Sequence, residues 1–224
     1  PRVIIGADGP RSQVGRAIGA PNTHLAETRQ IRVRLTASST STDIFLSAAY
    51  PGGYGWLFPM GAEANLGVGV ASQHRRHLRP LLMGLRERLI AEGRIGTDTL
   101  GHTGGAIPVG GIVGPVGRLG TICVLLAGDA AGVTNPITGA GIASAVQSGG
   151  LAGDAAASHA VGGSGDPIAG YAEAIQDHFG ASLRRALARR DELARVATGG
   201  HPPSPLDLKR AWIAFPEYWE PIRP

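Results

Sequence analysis

The sequence is poor in cysteine and in long apolar runs, and each shortage excludes a class of protein. Its one cysteine, Cys123, allows no internal disulfide and is compatible with a reducing compartment. Cys123 lies in the apolar run 121–126, so we expect it to be buried as a small hydrophobic side chain. No apolar run reaches the roughly 18 residues that a membrane-spanning helix needs. We therefore expect a cytoplasmic protein without a membrane-spanning helix.

Lysine is also nearly absent, since Lys209 is the one lysine among 21 basic residues, and the formal net charge is +4. The densest basic run, residues 184–190, falls on a predicted helix whose charged face carries no aromatic side chain. Nucleic-acid sites usually combine basic residues with exposed aromatic ones. We therefore interpret the run as a solvated helix face and predict no nucleic-acid partner.

Aromatic residues make up only 5 % of the chain, whereas 35 residues are glycine and 16 are proline. A hydrophobic content of 43 % with 17 % charged residues is typical of a globular protein, which excludes disorder as the main state. The absence of a Gly-X-Y period excludes collagen. Glycines cluster in residues 52–69 and 128–149, and we interpret the clusters as places where the backbone approaches a ligand closely.

Hydrophobic periodicity predicts an α/β protein with an antiparallel insert. A strand and a short helix open the chain, short strands follow, and a continuous apolar run typical of a strand in a parallel sheet comes later. The predicted strands are 3–7, 31–35, 43–50, 54–59, 65–71 and 121–127, and the predicted helices are 12–18, 78–92, 139–160 and 168–187. Residues 101–117 and 162–165 are predicted to be loops because glycine recurs there.

The segment after the buried strand is typical of a ligand site in an α/β protein. Gly128 and Asp129 end the strand, a loop with Pro136 follows, and a helix is predicted to begin at Gly139 or Gly141. A carboxylate there can accept hydrogen bonds from the hydroxyls of a polyol, and a helix N-terminus stabilises negative charge. A reduced flavin offers both groups, so the segment predicts a flavin site.

Two motifs resemble those of flavoproteins related to para-hydroxybenzoate hydroxylase. Residues 128–142 resemble the second FAD motif of that superfamily, and residues 5–12 resemble its middle motif, which lies by the FAD pyrophosphate. The resemblance implies FAD as cofactor, with NAD(P)H or ferredoxin as the undecided electron donor. The cofactor-binding residues that it implies are Asp8, Gly9, Gly128, Asp129, Pro136, Gly139, Ala140, Gly141 and Ile142.

Within that superfamily the sequence is most similar to the geranylgeranyl reductase family. Aromatic hydroxylases tend to have histidine where this chain has Gly132, and Tyr54-x-Trp56-x-Phe58-Pro59 resembles the Y-x-W-x-F-P signature of the reductases. The resemblance implies the C-terminal portion of an FAD-binding domain with an inserted antiparallel substrate domain. The segments that it implies are FAD-binding at 1–30 and 103–160, substrate-binding at 31–102, a C-terminal helix at 161–200 and a tail at 201–224.

The signature also has a physical interpretation. Tyr54, Trp56 and Phe58 are two residues apart on a strand, so all three project from one face, opposite Gly67 and Gly69 on the next strand. Such a face would form a smooth apolar wall for an isoprenoid substrate. An ordinary aromatic ridge in the core is the alternative. By resemblance, the function is FAD-dependent reduction of C=C bonds in a polyprenyl lipid or quinone, with no catalytic residue identified.

Two alternatives remain open at this point. The first is a flavin monooxygenase that acts on an aromatic compound or a natural product, against which Gly132 argues. The second is a non-catalytic flavoprotein fragment that needs a separate ADP-binding half, because no G-x-G-x-x-G segment for the ADP pyrophosphate is present. The chain begins with Pro1 inside an apparent strand, so we expect it to start within a larger protein and to bind FAD weakly, if at all, by itself.

The remaining residue patterns give weaker evidence about function. His74 and His77 have i, i+3 spacing, but no cysteine or carboxylate cluster joins them, so we predict no metal. The tail carries Trp212 and Trp219 with two further aromatic residues. These side chains could cap the substrate channel or touch a membrane surface, but we expect them to dock on the body of the protein.

Overall fold

A computed structural model describes residues 1–162, 167–199 and 201–222. The chain divides into two compact units, each built from separate stretches of sequence. The first unit contains Pro1–Leu25 and Ile107–Asp191, and the second contains Ala26–Ala106 and Glu192–Glu220. Within the described ranges, no helix combines the length and apolar character needed to cross a membrane.

The strands of the described residues form one sheet in each unit. They are β1 (Val3–Gly6), β2 (Leu25–Leu35), β3 (Asp43–Phe45), β4 (Gly55–Met60), β5 (Glu63–Ala71), β6 (Ile95–Pro108), β7 (Val116–Leu119) and β8 (Ile122–Leu126). The α-helices are α1 (Gln13–Ala17), α2 (Leu78–Ala91), α3 (Ile142–Ala160), α4 (Pro167–Ile175), α5 (Ala181–Thr198) and α6 (Pro205–Arg210).

The sheet of the first unit has the strand order β1-β8-β7. Strand β8 pairs in parallel with β1, from Val3 opposite Cys123 to Gly6 opposite Leu126, and pairs antiparallel with β7 on its other side. Cys123 is 1 % exposed, which confirms the predicted burial. Because β8 is central and its apolar run is buried, its carboxyl end is held firmly where Gly128 and Asp129 follow.

The sheet of the second unit has the strand order β3-β4-β5-β2-β6. Helix α2 covers one of its faces, with Leu82, Leu85 and Leu89 buried among side chains of the sheet such as Leu57 and Leu66. The helix predicted over 78–92 is therefore confirmed to within one residue, and its apolar face packs on the sheet. Since side chains alternate along β4, Leu57 faces α2 and its neighbours Trp56 and Phe58 project from the opposite face.

The prediction of a loop over residues 101–117 is correct for 109–115 and wrong for the rest. Strand β6 runs to Pro108 beside β2, and β7 begins at Val116. Gly104 of β6 permits close pairing rather than a turn, because a Cβ there would lie 2.5 Å from the carbonyl oxygen of Thr28. Glycine marks close backbone approach here, and turn signals alone could not reveal that.

Other boundaries also differ from the predictions. The predicted strand 43–50 is limited to β3, and β2 begins six residues before the predicted Ile31. The predicted helix 168–187 is divided into α4 and α5 by a π-helical turn at Gln176–Gly180. Of the predicted loop 162–165, only Gly162 lies within the described residues.

The interpretation of residues 184–190 as a wholly solvated face is also wrong. Arg189 is fully buried, and the Arg190 guanidinium donates a hydrogen bond of 3.0 Å to the Pro136 carbonyl oxygen. Helix α5 buries Leu183, Ala186 and Arg189, so its inward stripe continues through the basic run at helical spacing. Burial lowers the pKa of Arg190.

The C-terminal tail packs on the second unit, as predicted. Arg210 is 4 % exposed and its guanidinium forms ion pairs with Glu192, at 3.1 Å, and with Glu220. Tyr218 is buried, whereas Trp219 is 58 % exposed. The buried guanidinium therefore connects α6 to α5 and to the residues that follow.

We expect Arg210→Met to release this tail. The substitution removes the buried guanidinium that pairs with the largely buried carboxylate of Glu192, which destabilises the docked state by about 3 kcal/mol. Digestion with a lysine-specific protease measures the release, because Lys209 is the one lysine of the chain. We expect cleavage at Lys209 to be on the order of 100-fold faster in the variant. Arg118→Met, at an exposed position, is the control; equal cleavage rates in all three proteins would show that the ion pairs do not hold the tail.

Candidate functional site

A cleft of about 440 Å³ lies in the first unit, beyond the carboxyl ends of β1 and β8 and beside the first turns of α3. It brings together both segments that the sequence singled out, although about 120 residues separate them. Its lining residues are Ile5, Ala7, Gly9, Ile107, Ala127, Gly128, Asp129, Thr134, Gly139, Gly141, Ile142, Ala145 and Gly149. The volume is within the range of small-molecule sites.

Asp129 is the one carboxylate among these lining residues. Its Oδ1 accepts a hydrogen bond from the hydroxyl of Thr134, a residue that is 1 % exposed. Among the residues that the structure describes, no group hydrogen-bonds to Asp129 Oδ2. One oxygen thus fixes the carboxylate, and the other remains able to accept a hydrogen bond from a hydroxyl in the cleft.

The N-terminus of α3 lies beside this carboxylate. Gly141 is the N-cap residue, and no side chain caps the helix. A Cβ at Gly141 would lie 2.6 Å from Thr134 Oγ1 and 3.2 Å from Asp129 Oδ1, so only glycine lets the helix begin this close to the loop. The prediction of a helix start at Gly139 or Gly141 is accurate to one turn. The uncapped N–H groups supply positive potential at this side of the cleft.

The loop after β1 is shaped by Asp8, which does not itself line the cleft. Its carboxylate caps α1, accepting hydrogen bonds from the backbone N–H of Gln13 at 2.7 Å and from the Ser12 hydroxyl at 2.5 Å. Partial burial raises the pKa of Asp8, but these hydrogen bonds outweigh it and hold the pKa below its ordinary value. The capped turn leaves Gly9 at the cleft.

Asn22 joins the two loops, and sequence reasoning missed it. Its side-chain amide donates to the Pro10 carbonyl oxygen at 3.2 Å and to the Asp129 carbonyl oxygen at 2.8 Å. Asn22 therefore ties the loop after β1 to the loop after β8. No sequence signal could identify it, because its partner Asp129 is 107 residues away along the chain.

The structure separates the predicted cofactor-binding residues into two groups. Those that line the cleft are Gly9, Gly128, Asp129, Gly139, Gly141 and Ile142, and those that do not are Asp8, Pro136 and Ala140. The carbonyl oxygen of Pro136 accepts from Arg190, and that of Ala140 accepts from the backbone N–H of Asn135. These two residues therefore shape the loop before α3, which Arg190 braces from α5.

The cleft fits a flavin cofactor by its donors and acceptors. A carboxylate oxygen without a partner among the described residues suits a polyol hydroxyl, and an uncapped helix N-terminus suits a negatively charged ring edge. Gly128, Gly139 and Gly141 line the cleft without a side chain that would fill it. Apart from Asp129, none of the described residues that line the cleft has a side chain that could transfer a proton as an acid or base at neutral pH.

A continuous row of aromatic side chains lies on the second unit's sheet, on the face opposite α2. Neighbouring ring centroids are 5.8 Å apart between Phe58 and Trp56, 5.6 Å between Trp56 and Tyr54, and 4.8 Å between Tyr54 and Trp212. Burial raises the pKa of Tyr54 to about 12, so its hydroxyl is neutral at physiological pH. The common face predicted for Tyr54, Trp56 and Phe58 agrees with these ring contacts, although Tyr54 lies just before the first residue of β4.

The arrangement around Gly67 and Gly69 differs from the smooth apolar wall that the sequence predicted. Trp56 is directly opposite Gly67, and its indole covers that glycine so closely that a Cβ would lie 2.2 Å from the ring. Gln30, which sequence reasoning missed, fixes the ring by accepting a hydrogen bond of 2.9 Å from the indole N–H. A ligand on this face would therefore meet Trp56 where the sequence suggested Gly67.

Comparison with known proteins identifies first the fold and then the related family. The fold covers 94 % of this chain and 58 % of a geranylgeranyl bacteriochlorophyll reductase-like protein from Thermoplasma acidophilum, with a TM-score of 0.74 and 23 % identity. The chain thus has the mixed α/β fold of FAD-dependent reductases and monooxygenases. Residues 26–90, within the second unit, match the model of the geranylgeranyl reductase catalytic domain. These matches support the assignment of the chain to the geranylgeranyl reductase family of FAD-dependent oxidoreductases.

Two curated relatives illustrate the range of the family. The chain is 32 % identical to a digeranylgeranylglycerophospholipid reductase of Methanocella arvoryzae, in an alignment that covers 88 % of this chain and 51 % of the relative. It is 33 % identical to a menaquinone reductase of Mycolicibacterium smegmatis, over 83 % of this chain and 48 % of the relative. The chain therefore spans about half the length of these relatives.

Proposed function

We propose that this chain supplies the flavin cleft and the substrate sheet of an FAD-dependent reductase that saturates C=C bonds in polyprenyl chains. The observation that carries the proposal is the cleft of the first unit, where the loops after β1 and β8 meet at Asp129 and at the N-terminus of α3. Assignment to the geranylgeranyl reductase family supports the reaction. The first unit then corresponds to part of an FAD-binding domain, and the second to a substrate-binding insert.

Each group in the cleft has a distinct role in this proposal. The free oxygen of Asp129 accepts a hydrogen bond from the ribityl chain, and the N-terminus of α3 stabilises the negative edge of the reduced ring. Gly9 lets the loop after β1 approach the pyrophosphate. Bound FAD supplies the hydride for the reduction, while the protein contributes binding, orientation and electrostatics.

The aromatic row is the proposed wall of the substrate site. An isoprenoid chain offers apolar area and few hydrogen-bonding groups, so a wall of indole and phenyl rings suits it. The half-buried rings of Tyr54 and Phe58 and the indole of Trp56 would bind it, and Gln30 keeps that indole in place. The relatives named above suggest two sources of the chain, a geranylgeranyl ether lipid and a menaquinone.

We expect Asp129→Ala in the full-length protein to weaken FAD binding by about 10- to 100-fold. The magnitude corresponds to the loss of one or two hydrogen bonds to a charged acceptor. Titration of the apoprotein with FAD, followed by flavin absorbance, measures the dissociation constant. Asp154→Ala, at an exposed position of α3 outside the cleft, is the control and should leave it unchanged.

The reaction is tested on the same full-length protein with its flavin reduced under anaerobic conditions. A geranylgeranyl lipid or a menaquinone should reoxidise the flavin rapidly and gain hydrogen in its isoprenoid chain. If neither compound reoxidises the flavin while an aromatic compound causes oxygen uptake with NADPH, the protein is a monooxygenase and the proposal is wrong. Unchanged FAD binding in Asp129→Ala would disprove the assigned flavin site instead.

A further inference from the structure

The C-terminal tail contributes a ring to the aromatic face that carries the proposed substrate wall. Trp212 meets Tyr54 edge to face, with the ring centroids 4.8 Å apart and the planes at 72°. That face is opposite α2, since a Cβ at Gly55, the next residue of β4, would lie 2.9 Å from Leu85. The tail therefore packs on the substrate face of the sheet rather than behind it.

Trp212 lies at one end of the aromatic row. Tyr54 contacts Trp56 on one side and Trp212 on the other, while Trp56 continues the row to Phe58. Three of the rings come from β4 and from Tyr54, the residue before it, but the fourth is brought from more than 150 residues further along the chain. An apolar chain that follows the β4 rings beyond Tyr54 would meet the edge of the Trp212 indole.

The surrounding contacts fix this indole in place. The backbone N–H of Trp212 donates to the Lys209 carbonyl oxygen at 3.0 Å, and its own carbonyl oxygen accepts from the Phe215 N–H at 3.1 Å. Two residues earlier, Arg210 is buried between Glu192 and Glu220. A ring held by a buried ion pair and by backbone hydrogen bonds on both sides is a permanent part of the surface.

We propose that Trp212 closes one end of the substrate wall and thereby limits the length of isoprenoid chain that the site accepts. The inference rests on the proposed function and assigns to the tail a part in substrate selection. With the indole present, binding area ends at Tyr54, and additional isoprene units gain no contact there. Removal of the indole extends the apolar surface past Tyr54, so longer chains gain contact area and shorter ones do not.

The test compares variants of the full-length, FAD-loaded protein on menaquinones with short, intermediate and long isoprenoid tails. In Trp212→Ala we expect the ratio of kcat/KM for the long tail to that for the short tail to rise at least about tenfold, through KM rather than kcat. Trp212→Phe keeps an aromatic ring against Tyr54 and should restore most of the wild-type profile. Trp219→Ala removes an exposed indole from the same tail and should leave the profile unchanged.

A second measurement distinguishes the effect of losing the Trp212 indole from the effect of releasing the whole C-terminal tail. Cleavage at Lys209 by the lysine-specific protease should stay slow in Trp212→Ala, because the Arg210 ion pairs remain. If the variant resists cleavage and its tail-length profile equals that of the wild type, the inference is wrong and the proposed function stands. If the wild type reduces none of the menaquinones and no geranylgeranyl lipid, the proposed function itself fails.

Discussion

Replacement of Gly132 by alanine is expected to destabilise the protein by about 2–5 kcal/mol. Gly132 has a φ of +71°, a left-handed conformation that costs an L residue roughly 1–2 kcal/mol. A Cβ there would also lie 2.1 Å from the carbonyl oxygen of Gly111 and 3.1 Å from Asn22 Oδ1. Because backbone cannot move aside as a side-chain tip can, relief of the clash costs about 1–3 kcal/mol more. Urea unfolding of the two proteins measures the loss.

Gly120 offers a matched control for this substitution. Its φ is +61°, and a Cβ there would have no neighbour within 4 Å. Gly120→Ala should therefore cost only the conformational strain, about 1 kcal/mol. If the free energy of unfolding falls equally in the two variants, the close contact with the Gly111 carbonyl does not contribute to the loss of stability.

The same geometry explains why residue 132 distinguished the reductases from the aromatic hydroxylases. Gly132 follows the turn Gly128–Ala131 as its C-cap, and the carbonyl of Gly111, in the loop between β6 and β7, lies directly over it. A histidine there would need both a different backbone conformation and a displaced neighbouring loop. Sequence resemblance used the glycine as a marker, and the structure supplies the steric reason.

The second large effect is expected from Gly67→Ala. A Cβ at Gly67 would lie 2.2 Å from the Trp56 ring, so the indole must leave its place and lose its hydrogen bond to Gln30. Overpacking of this kind costs about 1–3 kcal/mol. Displacement of the central ring should also raise KM for a polyprenyl substrate on the order of tenfold, as measured by steady-state kinetics of the full-length protein.

Gly69→Ala, two residues along the same strand, is the control. A Cβ there would lie 3.5 Å from Thr28 Cγ2, which is ordinary van der Waals contact. The variant should retain its KM, with a stability that is unchanged or higher by about 0.5 kcal/mol, since alanine restricts the unfolded chain. A similar rise of KM in both variants would contradict the role assigned to Trp56.

Much of the proposed flavin cleft could be predicted from sequence because most of its lining residues lie within one stretch, residues 127–149. The apolar run of β8 predicted a buried strand, and Gly128 and Asp129 had to follow at its carboxyl end. The spacing of Gly139 and Gly141 predicted the start of α3 to within a turn. Local patterns of this kind depend only on strand and helix geometry, which neighbouring residues determine.

The residues that sequence reasoning missed act through contacts between distant segments. Asn22 reaches the carbonyl of Asp129, and Arg190 reaches that of Pro136 across 54 residues. The basic run that contains Arg190 has the composition of a solvated helix, and only packing decides which of its arginines is buried. Glycines in β6 predicted a loop for the same reason, because their partner strand β2 lies far away in sequence.

The sequence by itself determined the motifs of this protein: the glycine and aspartate after β8, the aromatic residues of β4 and the amphipathic helices. Tertiary structure alone decided that Trp56 covers Gly67, that Asn22 joins the loops after β1 and β8 and that Trp212 completes the aromatic row. The physical reason is the distance along the chain over which each kind of interaction acts. Backbone preference and hydrophobic period act over a few neighbouring residues, whereas steric fit and hydrogen-bond pairing depend on which distant segments the folded chain brings together.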